Sequence, residues 1–304
     1  MIMASVIEDF FNTSTISAAS SVLDRVDGQG SLFDKSRDLL DDVNNHLKTG
    51  RNLYGMRSER MDSGKERLIS NPCNALVPLL TKLESLVERV PIHSSCHGSG
   101  GFTPEKSVRH HVPLRTAFTF DVANAGPSIS SEMVAEVYYR ALDGFDLSES
   151  DRQRVASNFA NLSVTYYRDL KKTGLPLGTR LTDRIFQRVF YEIDSRLDEV
   201  AEEKGMKYSR WGDDMKITSH HSVGLKDFAG AIDIVEKNGL KVSPGKIFLQ
   251  QLSDRGVFML GHVVYPDGSV YHNDVQLKNE MKAPSVNYEI VELIRKNENY
   301  EKWI

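Results

Sequence analysis

The stretch KYSRWGDDMKIT (207–218) reads as two short strands, Tyr208–Trp211 and Met215–Thr218, that meet at Gly212-Asp213-Asp214. A Gly-Asp pair between apolar-rich strands is the signature of a tight hairpin. It places two adjacent carboxylates at the tip. Like charges so close raise each other's pKa unless a cation sits between them. A hard divalent ion such as Mg²⁺ accepts carboxylate oxygens together with substrate phosphates. Side chains alternate along a strand, so only one of the two aspartates points straight at a site on the sheet. A lone Asp-Asp in a turn is ordinarily solvated surface. The apolar strand context argues otherwise here, as does a second buried strand, TAFTFDV (116–122), with Asp121 at its C-terminal end.

Working outward, Ser130 or Ser131 caps a helix with Met133, Val134, Val137 and Leu142 on its apolar side. GLPLG (174–178) is a rigid loop, and a long amphipathic helix is expected over Leu181–Val200, with Ile185, Val189, Ile193 and Leu197 four apart. Asp194, ending that apolar face, reads as structural. A helix near Leu225–Lys237 precedes strands near Ile247–Leu252 and Val257–Val264. The order predicts an α+β fold, an antiparallel sheet with helices on one face. Upstream, residues 1–47 look helical, Ala75–Val90 is an amphipathic helix, and Asp62-Ser63-Gly64 is a hairpin turn between basic runs.

The 304-residue chain allows one large or two ordinary domains. Its net charge of −4 argues against holding nucleic acid through bulk positive charge. The charge is uneven, however: residues 48–115 carry 11 Lys+Arg against 6 Asp+Glu, between two acidic flanks. Such a segment suggests a local surface for an anionic ligand. Two cysteines, Cys73 and Cys96, exclude a disulfide framework. No apolar run approaches a membrane span, and the N-terminus lacks a basic signal-peptide region. An intracellular, cytoplasmic protein without membrane contact is expected. No Cys-x-x-Cys, His-Glu-x-x-His, phosphate-loop or nucleophile-elbow motif is present.

Taken together, the segments from about Tyr54 to Val264 resemble the bacterial reverse transcriptases: retron, group II intron, diversity-generating and phage-defence enzymes. RSERMDSGKERLISNP (57–72) resembles the fingers hairpin, and HGSGGFTPEKSV (97–108) the His-Gly-Phe loop. FTFDVANAGPSIS (118–130) is similar to the first palm motif, and GLPLGTRLTDRIFQRVFYEID (174–194) to the second with its helix. KYSRWGDDMKIT resembles the aromatic-x-Asp-Asp hairpin, NGLKVSPGKIFL (238–249) the fourth motif, and VFMLGHVV (257–264) the primer grip.

The resemblance implies a right-hand polymerase with an N-terminal helical extension (1–50), fingers (51–115), a palm sheet packed on helices (116–265) and a reduced thumb (266–304). It implies two-metal nucleotidyl transfer from nucleoside triphosphates to a primer 3′-hydroxyl on an RNA template, with Mg²⁺ or Mn²⁺ held by Asp121, Asp213 and Asp214. Lys65 and Arg67 would neutralise triphosphate, Arg57 or Arg60 would assist or touch template, and Lys246 would serve the leaving pyrophosphate. Leu177 and Gly178 would lie near the templating base.

Two departures matter. The family usually has Phe or Tyr four residues after the first aspartate, a ring that blocks a 2′-hydroxyl, and here the residue is Ala125. Ribonucleotide tolerance is expected, unless another side chain supplies the gate. Leu177 stands where Gln is common, as in the diversity-generating enzymes. The C-terminal segment (266–304) is short for a thumb, so either a structured RNA or protein partner supplies thumb contacts or the chain is a piece of a longer protein. The alternatives are an RNA-directed RNA polymerase or primase-like enzyme on the same fold, or a palm-fold protein that mainly binds RNA or a partner.

Overall fold

The computed structural model describes residues 13–26, 35–60, 66–99 and 101–272. Lys65, the Asp62-Ser63-Gly64 turn and the expected C-terminal helices of 286–304 lie outside the described residues. Helices α1 (Thr13–Val26) and α2 (Lys35–Lys48) come first, then strands β1 (Tyr54–Arg60) and β2 (Glu66–Pro72) and helices α3 (Val77–Val87) and α4 (Pro104–His110). Next are β3 (Thr116–Val122), the one-turn α5 (Ala125–Ser128), α6 (Ser131–Ala141) and α7 (Glu149–Ser163). The short strands β4 (Thr165–Tyr167) and β5 (Lys172–Gly174) lead to α8 (Arg180–Val189) and α9 (Tyr191–Glu203). The hairpin β6 (Met206–Trp211) and β7 (Asp214–Ser219), helix α10 (Lys226–Lys237), and strands β8 (Val242–Gln251), β9 (Val257–Met259), β10 (His262–Val264) and β11 (Val270–His272) complete the order. The fold is α+β with antiparallel sheets. No described helix is long and apolar enough to cross a membrane.

The chain divides into two compact units. The first comprises residues 1–91 and 126–189. Its helices bury apolar stripes: Leu79, Leu83 and Leu86 of α3, Val134 and Tyr138 of α6, Phe159 and Leu162 of α7, and Ile185 of α8. Ser130 caps α6 by accepting from the Met133 amide at 3.3 Å, the usual device for satisfying an orphan N–H at a helix start. The β1–β2 hairpin pairs Arg57 with Ile69 and Glu59 with Arg67. It is joined to the GLPLG loop (174–178) where the Ser70 amide donates to the Leu177 carbonyl at 2.7 Å.

The second unit comprises residues 92–125 and 190–304. At its centre is a four-stranded antiparallel sheet in the order β6-β7-β3-β8. Phe118 and Phe120 are buried on one side of β3, where Phe118 stacks on Phe228 of α10 at 5.0 Å. On the other side Ala117 joins Val108, Leu114, Val257, Met259, Val264 and Val270 in a second core, built from α4 and the three-stranded β11-β10-β9 sheet. The period-2 alternation of β3 therefore separates a helix-facing side (118, 120) from a side carrying Thr119 and Asp121.

Three expectations need correction. The helix over Leu181–Val200 is two helices, interrupted at Phe190, whose ψ of 0° leaves the helical range. One residue off helical geometry keeps the four-residue apolar repeat, so the pattern conceals the break. Asp214 is not at the turn but is the first residue of β7, where it pairs with Trp211 across a two-residue loop. The strand expected from Ile247 begins at Val242 and passes through Pro244 and Gly245. Its pairing with β3 jumps between Phe120 and Val122, and such an irregularity admits residues that a regular ladder would refuse.

Candidate active site

Asp121 and Asp214 are direct partners in the β3–β7 register. Opposed residues of an antiparallel pair have Cβ atoms about 5 Å apart, so the two carboxylates can share one cation. Asp213 precedes Asp214 in the loop and is half-buried. Gly212, with φ +63°, takes the first central position of that loop, which two-residue hairpins opening on glycine require. The Asp213 carbonyl accepts from the Val122 amide at 3.3 Å, which ties the turn to β3.

Two lysines meet these carboxylates. Lys246 enters from the irregular stretch of β8 and bonds the Asp121 carboxylate, with its own side chain 43% exposed. Lys216, two residues along β7 from Asp214 and so on the same face, has no exposed side-chain surface. Its Nζ lies 3.3 Å from Asp214 Oδ2 and donates to the Asp214 carbonyl at 3.1 Å. These groups, with Thr119, Phe248 and Phe258, line a cavity of about 230 Å³.

Burial pushes the Asp121 pKa up; Lys246 opposes the rise and Asp213 adds to it. Burial likewise raises Asp214, against Lys216 and with Asp121. Burial lowers Lys216, against the pull of Asp214. Burial also acts to lower Lys246, but its bond to Asp121 outweighs that and leaves it raised. The aspartates thus repel one another in a partly desolvated pocket, a setting that added positive charge relieves.

Among the described residues, no three His, Cys, Asp or Glu side chains already converge on a metal position. The donor chemistry nevertheless suits Mg²⁺: oxygen ligands only, two of them in facing register and a third next in sequence. Lys246 is exposed enough to turn aside, whereas Lys216 is locked in place.

The remaining candidate residues fall in two groups. Asp121, Asp213, Asp214, Lys246 and Ala125 belong to the second unit, Ala125 being the half-buried first residue of α5. Arg57, Arg60, Arg67, Leu177 and Gly178 belong to the first. There Arg57, Arg60 and Arg67 are exposed, and Arg57 pairs with Glu59 at 3.3 Å. Gly178 lies against Ile69 and Ser70 of β2, so Leu177 and Gly178 share a neighbourhood with the basic hairpin.

Lys216 is the functional candidate that the sequence reading missed. Its signal was available: a lysine in the buried strand MKIT, at even spacing from Asp214. Asp194 is buried as expected of a structural residue, bonded to Arg210 and Tyr208.

No protein-family model matches the chain. Among curated proteins it is similar to a retron Mx65 reverse transcriptase of Myxococcus xanthus, with 25% identity over 203 residues. That match covers 62% of this chain and 46% of the retron protein, so the chain spans about half the length of its relative.

Proposed function

We propose that the chain is a template-directed nucleic-acid polymerase of the reverse-transcriptase kind. It transfers nucleotides from nucleoside triphosphates to a primer 3′-hydroxyl on an RNA template. The observation that carries this reading is Asp121 facing Asp214 across an antiparallel pair, with Asp213 on the adjoining turn. The retron likeness supports it. In this reading residues 51–115 are fingers and 116–265 a palm.

Asp121, Asp213 and Asp214 would hold Mg²⁺, or Mn²⁺ in its place. Bound there, the metal supplies Lewis-acid stabilisation of the transferring phosphate and acidifies the attacking hydroxyl. Lys246 turns from Asp121 to the leaving pyrophosphate, where its charge counters the developing negative charge. Arg57, Arg60, Lys65 and Arg67 neutralise triphosphate or contact template. Ala125 leaves the space of an aromatic ring open beside the sugar, so a 2′-hydroxyl is accepted.

The test is primer extension on RNA templates with the purified full chain, supplying deoxynucleotides and ribonucleotides separately and digesting the products with DNase or RNase. Extension by the wild type and its loss in Asp213→Ala are expected. Extension with ribonucleotides alone would favour a second reading, an RNA-directed RNA polymerase, for which Ala125 is the supporting observation. Normal extension by Asp213→Ala would refute the site.

A further inference from the structure

The loop that carries Asp213 is held from several directions, all within the second unit. Arg210 of β6 lies on the helix-facing side, its side chain and that of Asp194 wholly excluded from solvent. Arg210 Nε donates to Asp194 Oδ1 at 2.8 Å and Nη2 donates to Oδ2 at 2.8 Å. The Tyr208 hydroxyl donates to Asp194 Oδ1 at 2.8 Å, and the guanidinium carbon lies 4.5 Å from the Phe190 ring centroid. With the fork fixed by Asp194, Nη1 lands on the Gly212 carbonyl at 2.7 Å.

From the outer edge, the segment around Cys96 runs parallel to β6: the Arg210 amide donates to the Ser95 carbonyl, and the His97 amide to the Arg210 carbonyl, both at 2.9 Å. Gly98 follows immediately. A Cβ on Gly98 would sit 3.2 Å from the Gly212 nitrogen, so the turn would have to give by a few tenths of an ångström to admit it, and 3.5 Å from Trp211 Cα, an ordinary contact.

A buried ion pair contributes little net stability compared with well-packed apolar residues of the same volume. What this one provides is direction, because a guanidinium presents its donors in a rigid plane. We infer that Arg210, oriented by Asp194, is the positioning residue for Asp213, with Gly98 as the stop that sets how far the turn can move. This rests on reading Asp213 as a metal-holding carboxylate. It adds that the metal affinity of the site is set from the opposite face of the sheet.

The test uses Gly98→Ala, which keeps every side chain of the pair, and Arg210→Lys, which keeps the charge but lacks the fork. The readouts are Mn²⁺ binding followed by electron paramagnetic resonance, the Mg²⁺ concentration for half-maximal extension, the KM for nucleotide, and the melting temperature. A purely structural role would lower melting temperature and amplitude without moving metal affinity. The positioning role predicts metal affinity weakened about tenfold in both variants, a factor equivalent to ~1.4 kcal/mol, with nucleotide KM unchanged. Should Arg210→Lys fail to fold, Gly98→Ala decides. Wild-type metal affinity in a folded Gly98→Ala overturns the inference, as does a wild type that binds no Mn²⁺. If the wild type binds Mn²⁺ but extends no primer, the polymerase reading fails while the positioning of Asp213 is still judged by the binding data.

Discussion

Asp121 and Asp214 face each other across β3 and β7, and each carboxylate is met by a lysine, Lys246 from an adjacent strand and Lys216 from two residues along its own. The two lysines differ in kind. Lys246 is nearly half exposed and can be solvated alone, whereas Lys216 has no exposed side-chain surface and depends on Asp214.

Asp121→Asn should therefore abolish extension while making the protein more stable. Burial raises the Asp121 pKa above its ordinary 3.8, so the native state binds the proton more tightly than the unfolded chain does. Ionising the carboxylate then costs stability as pH rises through and above that range. The gain in the variant, about 1 kcal/mol or ~2–4 °C, should be present at pH 7 and vanish well below the unfolded value, as calorimetry at several pH values would show. A lower melting temperature at pH 7 would contradict this account.

Lys216→Met should destabilise by about 1–2 kcal/mol, because it leaves the partly exposed Asp214 without its counter-charge. Adding Asp214→Asn should recover more than half of that loss in denaturant unfolding. Additivity of the two changes would mean that the pair is not coupled.

Ala125→Phe should shift the ratio of kcat/KM for deoxynucleotides over ribonucleotides upward by at least ~10-fold, since an aromatic ring beside the sugar leaves no room for a 2′-hydroxyl. The measurement is competition between matched nucleotides on one primer–template. Strict rejection of ribonucleotides by the wild type would show that another side chain closes the gate.

His97 supplies a prediction in acid. Burial, with smaller contributions from His110 and Lys216, lowers its pKa from 6.5 to about 4, while its Nδ1 pairs with the Ser107 hydroxyl at 2.9 Å. Between those values the unfolded chain binds a proton that the native state refuses, so stability is lost as pH falls through that window. The loss is on the order of 3 kcal/mol. His97→Gln should flatten the melting-temperature profile between pH 6.5 and 4; an unchanged slope would assign the acid sensitivity to other groups, fully buried His111 first.

Gly174→Ala should be severe, because its Cβ would meet the Pro127 carbonyl oxygen at 2.4 Å and Pro127 Cα at 2.6 Å, both backbone atoms that no rotamer can move. A loss above ~2 kcal/mol is expected from chemical unfolding, at the high end for a single substitution. A near-neutral result would show that α5 and β5 can part without penalty.

By itself the sequence determined β3, the β6–β7 hairpin and the residues that carry charge. TAFTFDV matches β3 end to end, the β6–β7 hairpin was legible from Gly212-Asp213 and the alternation beside it, and Ser130 announced the start of α6. These are local properties, written within a few residues of where they act. The interruption at Phe190 was hidden because the apolar repeat runs through it, and β11 was too short to announce itself. Only the tertiary structure decided which charges meet. Asp121 and Lys246 are joined by an irregular ladder, Asp194 and Arg210 by helix-on-sheet packing, and Gly98 and Gly212 by a loop closing on a turn. Each is a contact between distant segments whose partner is selected by register and burial, and no local pattern encodes that choice.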